Sequence, residues 1–133
     1  MFESRTAGPV IVHTHRMITS RELLQAHLDA FNARDLDALM AGFADDAVWR
    51  TGTDTVTGRA ALTELFGWAM ANILPELTLR TLVVEGGLAA CELTETLTHE
   101  GRTSAVPIAG FFRFRDGLIV SAAVYREGSA DLA

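Results

Sequence analysis

His27 interrupts an apolar helical stripe of Leu23, Leu24, Leu28 and Phe31, so its ring should point inward from a helix. An imidazole there can take up or release a proton near neutral pH. The competing reading is a core histidine with one hydrogen bond. Tyr125 is the second candidate. If Asp116-Gly117 is a two-residue turn, Tyr125 pairs with Ile108 and faces the side of Gly110 and Phe112. Its hydroxyl could then polarise a carbonyl or epoxide oxygen. Otherwise the ring packs and the hydroxyl meets water. Glu95 shares a strand face with Cys91, Leu93 and Leu97, and a carboxylate in that apolar company can serve as an acid or base. Thr51 can orient a water but is no base at neutral pH.

Other chemistry finds less support. His13-Thr14-His15 has no Cys or acidic partner at ligand spacing, so no metal site is expected. Cys91 has no neighbouring base and reads as core. Glu85-Gly86-Gly87 lies between strands rather than before a helix, so it is no phosphate loop. No cofactor is expected.

The elements that must position these groups follow from periodicity. Thr19 and Glu22 form a capping box, and a helix runs on through Phe31. After a break at Asn32 to Asp35, Asp35 caps a second short helix, Leu36 to Phe43. Ala44-Asp45-Asp46 reads as a turn, Ala47 to Thr51 as a short strand, and the Thr- and Gly-rich stretch beyond it as a loop. Gly58-Arg59 opens a third helix, Ala60 to Ile73, which Pro75 stops. Then the period becomes two. Leu77–Glu85, Leu88–His99, Arg102–Arg115 and Leu118–Arg126 are separated by Gly86-Gly87, Glu100-Gly101 and Asp116-Gly117, the turn pairs of an antiparallel meander. Pro107 and Gly110 should bend the third of these strands. Helices first and sheet afterwards means α+β: a cone-shaped roll of N-terminal helices on a strongly curved, mostly antiparallel sheet.

The chain has 133 residues, which allows one domain with a sizeable core. Residues 1–18 read as a tail, either disordered or adding an edge strand through Val10-Ile11-Val12, and residues 19–133 as the domain. The net charge of −6 repels phosphates, so neither nucleic acid nor an anionic membrane is an expected partner. No apolar run approaches the length of a membrane span, and no secretory signal is evident. A single cysteine fits a reducing cytoplasm.

Three stretches carry a family resemblance: Phe43-Ala44-Asp45-Asp46-Ala47-Val48-Trp49, Val56-Thr57-Gly58-Arg59-Ala60-Ala61-Leu62, and Pro107 to Phe114 with Asp116-Gly117-Leu118-Ile119. In order and spacing they resemble the nuclear transport factor 2-like superfamily, in its SnoaL-like polyketide cyclase, ketosteroid isomerase and limonene-epoxide hydrolase branches. The resemblance implies a cone around an apolar pocket. It places Trp49 and Thr51 inward and, against the apolar phase of Glu95, also Thr94, Thr96 and Thr98. Glu95 would then lie on the outer face near Arg113.

The family's catalytic groups do not carry over. The hydrolase Arg and Asp positions fall on Thr96, Thr98 and Val124, and the water-orienting pair near Trp49 and Thr51. The isomerase base falls near Thr51, its oxyanion acid near Gly110 and its tyrosine near His27. The cyclase acid/base falls near Val124.

The expected site therefore has His27 and Tyr125 as catalytic groups, with Trp49, Thr51, Thr96, Thr98 and Phe112 binding the ligand. The expected function is a small-molecule pocket protein, a cofactor-independent cyclase, isomerase or hydrolase of an apolar oxygenated substrate. The alternatives are a non-catalytic ligand-binding module and an interaction domain that uses the outer sheet face. Apolar residues on both faces of the last two strands point to a homodimer through that outer face.

Overall fold

The computed structural model describes residues 18–126. The strand considered at Val10-Ile11-Val12 and the His13/His15 pair lie outside the described residues. Helix α1, Ser20–Asn32, starts in the expected box: the Thr19 side chain accepts from the Glu22 backbone, and Glu22 reaches back to the Thr19 N–H at 3.0 Å. Its buried face holds Leu24, His27, Leu28 and Phe31. At its end the Asn32 side chain grips the Leu77 backbone both ways, at 2.8 and 2.7 Å, and so moors the helix to the sheet. Helix α2, Leu36–Ala41, is capped by Asp35.

Strand β1, Phe43–Thr51, begins earlier than periodicity implied. The expected turn at Ala44-Asp45-Asp46 is the irregular first half of this strand, where its pairing with the last strand breaks between Phe43 and Val48. The expected Thr- and Gly-rich loop is strand β2, Asp54–Thr57, which returns along β1 after a turn at Gly52, where φ is 60°. Helix α3, Arg59–Asn72, follows. The Arg59 guanidinium donates to the carbonyl oxygens of Met40 and Phe43, at 2.6 and 2.7 Å, and locks the start of α3 onto the α2–β1 junction.

Strands β3 (Glu76–Glu85), β4 (Leu88–His99), β5 (Arg102–Arg115) and β6 (Leu118–Arg126) form the expected meander. The six strands are ordered β2-β1-β6-β5-β4-β3, and only the β1–β6 pair is parallel. The curved sheet wraps its concave face around the helices, and the core of Leu24, Leu28, Phe43, Leu62, Phe112 and Ile119 fills the space between them. No helix among the described residues is long and apolar enough to cross a membrane.

Gly87 has no room for a side chain, because a Cβ there would lie 2.7 Å from the Phe114 carbonyl oxygen. Backbone cannot swing aside as a flexible side chain can. Gly87→Ala should therefore cost about 1–3 kcal/mol, the usual penalty of overpacking, read as a lower urea midpoint. An unchanged midpoint would mean that the β3–β4 and β5–β6 turns are not held in this contact.

Candidate functional site

Between α3 and the concave face of the sheet lies a cavity of about 130 Å³. Its wall is aromatic: Phe31 from α1, Trp49 from β1, Phe66 from α3 and Phe112 from β5. The Trp49 and Phe66 rings meet edge to face at 5.0 Å, so the wall is interlocked. Trp68, 57 % exposed, stands at the opening. The polar groups on the lining are few: Thr51, Glu95 and Arg126.

Glu95 is 7 % exposed and held by Arg126, whose two terminal nitrogens reach the two carboxylate oxygens. The Nη2 to Oε2 distance is 3.4 Å. The guanidinium is the more exposed partner, with 31 % of its side-chain surface open, so the pair runs from the cavity wall to the solvent side. A paired, forked geometry is what makes a buried carboxylate tolerable.

Among the expected site residues, Trp49, Thr51 and Phe112 line this cavity. Tyr125 does not. It pairs with Ala109 rather than Ile108, is 60 % exposed, and stands on the convex face beside Phe111, with centroids 6.0 Å apart. The cause is one extra residue. Pairing runs Phe114↔Ile119 and then Arg113↔Ser121, so Val120 is bulged and every later β6 residue changes face. The same bulge turns Arg126 inward, opposite Ile108. Sequence reasoning missed Arg126, because an unbulged count from the Asp116-Gly117 turn puts it on the convex face.

Thr96 and Thr98 also lie off the cavity. The inward phase of β4 is Ala89, Cys91, Leu93 and Glu95, and the Thr98 hydroxyl faces outward to that of Thr103 at 3.1 Å. The outward placement of Glu95 is thereby corrected, and the apolar company of Cys91 and Leu93 was the valid signal. Cys91 is buried, its thiol pushed up to about 11 by burial, which leaves it unreactive.

His27 is buried behind the wall and is not part of the cavity lining. Four rings enclose it, those of Phe31, Phe43, Trp49 and Phe112, with centroids 5.2 to 6.0 Å away. Burial lowers its pKa from 6.5 to about 4, so the ring is neutral at pH 7. Among the described residues neither ring nitrogen has a hydrogen-bond partner. On its other side His27 lines a second, smaller cavity of about 70 Å³ between α1, α2 and the β5–β6 turn. Among the described residues, no group of three His, Cys, Asp or Glu side chains is placed to hold a metal ion.

This architecture, a helix-filled cone with a cavity at its open side, is that of the nuclear transport factor 2-like proteins. The family model of the SnoaL-like domain matches residues 24–122, and the chain belongs to that family. Solved structures agree. An NTF2-like protein of unknown function from Burkholderia pseudomallei is 19 % identical, with a TM-score of 0.76 over 84 % of this chain and 92 % of its own. An LEH-like epoxide hydrolase of M. tuberculosis is 21 % identical, with a TM-score of 0.76 over 81 % of this chain and 82 % of its own. A hypothetical protein of Catenulispora acidiphila with a ketosteroid isomerase-like fold, solved in complex with trimethylamine, is 25 % identical, with a TM-score of 0.72 over 78 % of this chain and 84 % of its own. Fold and family together are those of a small-molecule pocket protein.

Proposed function

We propose that this protein catalyses cofactor-independent proton transfer, of the cyclase, isomerase or hydrolase kind, on an apolar oxygenated molecule, with Glu95 as the proton-carrying group. The observation that carries the reading is a carboxylate 7 % exposed, set among aromatic rings on a cavity wall. Where burial removes most of the solvent from a carboxylate and a guanidinium, they act more strongly on developing charge than in water. Glu95 would take a proton from carbon or water, and Arg126 would stabilise the oxygen that becomes negative. Thr51 would orient the substrate oxygen. The volume of about 130 Å³ compares with the roughly 150 Å³ of an engineered cavity that holds benzene. The buried part of the substrate is therefore one ring, and anything larger extends past Trp68.

The test needs no knowledge of the natural substrate. Cyclohexanone and related single-ring ketones, enones and epoxides are incubated with the protein in D₂O and followed by NMR. Deuterium entry next to the carbonyl, or epoxide opening, above the buffer rate supports catalysis. Binding without any turnover supports a second reading, a non-catalytic ligand-binding module. That reading has its own support: the lining holds no proton-carrying side chain besides the paired Glu95, and His27 is walled off. If no single-ring probe binds, both readings fail.

The convex face supports a homodimer. Val83, Ala90, Phe111 and Ala123 form one cross-strand row there, with Val83 63 % and Phe111 46 % exposed and Tyr125 alongside. A self-complementary partner would cover it. Light scattering should give a dimer at micromolar concentration and a monomer for Phe111→Glu. A monomeric parent protein would leave the sheet face as a docking surface for some other chain.

A further inference from the structure

The convex face carries charge as well as apolar surface, and strand pairing fixes where each charge stands. Its middle row runs Arg50, Ala123, Phe111, Ala90 and Val83 across β1, β6, β5, β4 and β3. The row on one side of it holds Arg113 on β5, and the row on the other side holds Tyr125 on β6 and Glu92 on β4. Arg50, Arg113 and Glu92 are exposed. Among the described residues neither arginine makes an ion pair or a hydrogen bond. Glu92 accepts the Thr81 hydroxyl at 2.9 Å on one oxygen, and its other oxygen has no partner among the described residues. Arg50, Arg113, Phe111 and Tyr125 border one open depression.

Exposed arginines in water need no partner, so their spacing is what carries information. A two-fold interface brings residue i onto residue j of the second copy and j onto i. Neighbouring strands lie about 4.8 Å apart and alternate residues of one strand about 6.8 Å apart. On that grid Arg113 and Glu92 stand on opposite sides of Phe111, one strand out of line. A two-fold axis lying between the two faces, past Phe111 and about 20° off the perpendicular to the strands, sets Arg113 over Glu92 of the second copy. The same axis sets Phe111 on itself and Arg50 over Tyr125, and neither match was used to choose it. The patch therefore complements itself in charge, whereas a partner of one sign would meet a like charge on it.

We propose that two copies meet on this face in one register: Phe111 packs on the partner's Phe111, Arg113 pairs with the partner's Glu92, and the Arg50 guanidinium lies on the ring of the partner's Tyr125. This register rests on the homodimer reading of the convex face and adds which groups meet and how a copy recognises its like. Each chain carries a net charge of −6, so two copies repel one another overall. Opposed arginines and carboxylates at the point of contact select the one orientation in which they can meet. Arg80 and Arg115, like charges that this axis opposes, stand at the edge strand and beside the β5–β6 turn, where two convex faces have parted.

Arg113→Glu and Glu92→Arg test the register, with the dissociation constant of the dimer read by analytical ultracentrifugation. In either variant alone the pair becomes two like charges, twice in each dimer, and the constant should rise about 100-fold. An equimolar mixture of the two variants restores opposite charges at both contacts and should dimerise at least as tightly as the parent. Dimerisation of the mixture also shows that both variants are folded. Overall charge alone gives another pattern, because Arg113→Glu takes each chain from −6 to −8 and Glu92→Arg takes it to −4. A dimer that the first weakens and the second tightens refutes the register. A dimer that neither substitution changes also refutes it and leaves the homodimer standing. Arg50→Gln should weaken the parent dimer about tenfold and change nothing further once Tyr125 is replaced by alanine. An equal effect in both backgrounds refutes the Arg50 contact. A parent protein that is monomeric at micromolar concentration brings down the register and the homodimer together.

Discussion

Glu95→Gln should lower turnover of any substrate the cavity accepts by about 10²–10⁴-fold, the usual contribution of a positioned acid or base. The amide keeps the shape of the carboxylate and still offers an oxygen to the Arg126 fork. What it loses is the ability to hold a proton. Binding should change far less, so the effect should appear in kcat, with KM little altered. Stability should shift by about 1 kcal/mol or less, because Arg126 has 31 % of its side-chain surface open and can turn to water when its partner is neutral. Arg126→Met should behave differently. It strands a carboxylate that is 7 % exposed among aromatic rings, and should cost both turnover and folding free energy. Full activity in Glu95→Gln would remove the carboxylate from the chemistry and reduce the pair to a structural tie between β4 and β6.

His27 should make the folded state acid-labile. Its ring is buried, and burial lowers its pKa from 6.5 to about 4. Between those two values the unfolded chain binds a proton that the folded chain refuses, so stability rises with pH across the window and is lost as pH falls through it. At about 1.4 kcal/mol per pH unit, the interval from 6.5 to about 4 amounts to about 3 kcal/mol at its lower end. The rings of Phe31, Phe43, Trp49 and Phe112 that enclose it carry no charge to soften this. His27→Leu should abolish that part of the pH dependence. It should also raise stability at pH 7 by about 1–3 kcal/mol, since an apolar side chain replaces a polar one with no partner among the described residues. Urea denaturation at pH 7 and pH 4.5 measures both. If the variant is less stable than its parent at pH 7, the orphaned nitrogens are already satisfied by internal water. A variant that is more stable yet poorer at its task would mark a residue held for function at the expense of stability.

The sequence by itself determined the three helices, the four-strand meander and their order, but not β2 or the first half of β1. The capping box at Thr19 and Glu22, the stop at Pro75 and three turn pairs between strands are local signals, and each acts within a few residues of its own position. It also determined that His27 is buried, because a helical stripe is a local property. The motif around Gly58-Arg59 marked the family, but its work is tertiary: the guanidinium closes the α2–β1 junction through two carbonyl oxygens.

Only the tertiary structure decided which groups share a cavity. Strand periodicity is two, so one inserted residue reverses every side chain beyond it. Val120 is that residue. It sends Tyr125 to the convex face and Arg126 to the cavity, where the latter meets Glu95. Local periodicity does not choose between the two registers: one would place Ser121, Ala123 and Tyr125 inward, the other places Ala122, Val124 and Arg126 there. The choice is made by how β6 fits between β1 and β5 at once. The separation of His27 from the carboxylate has a similar origin. Both point inward, but the aromatic rings that come between them arrive from α1, β1 and β5, and a partition built from three elements exists only when the chain has folded.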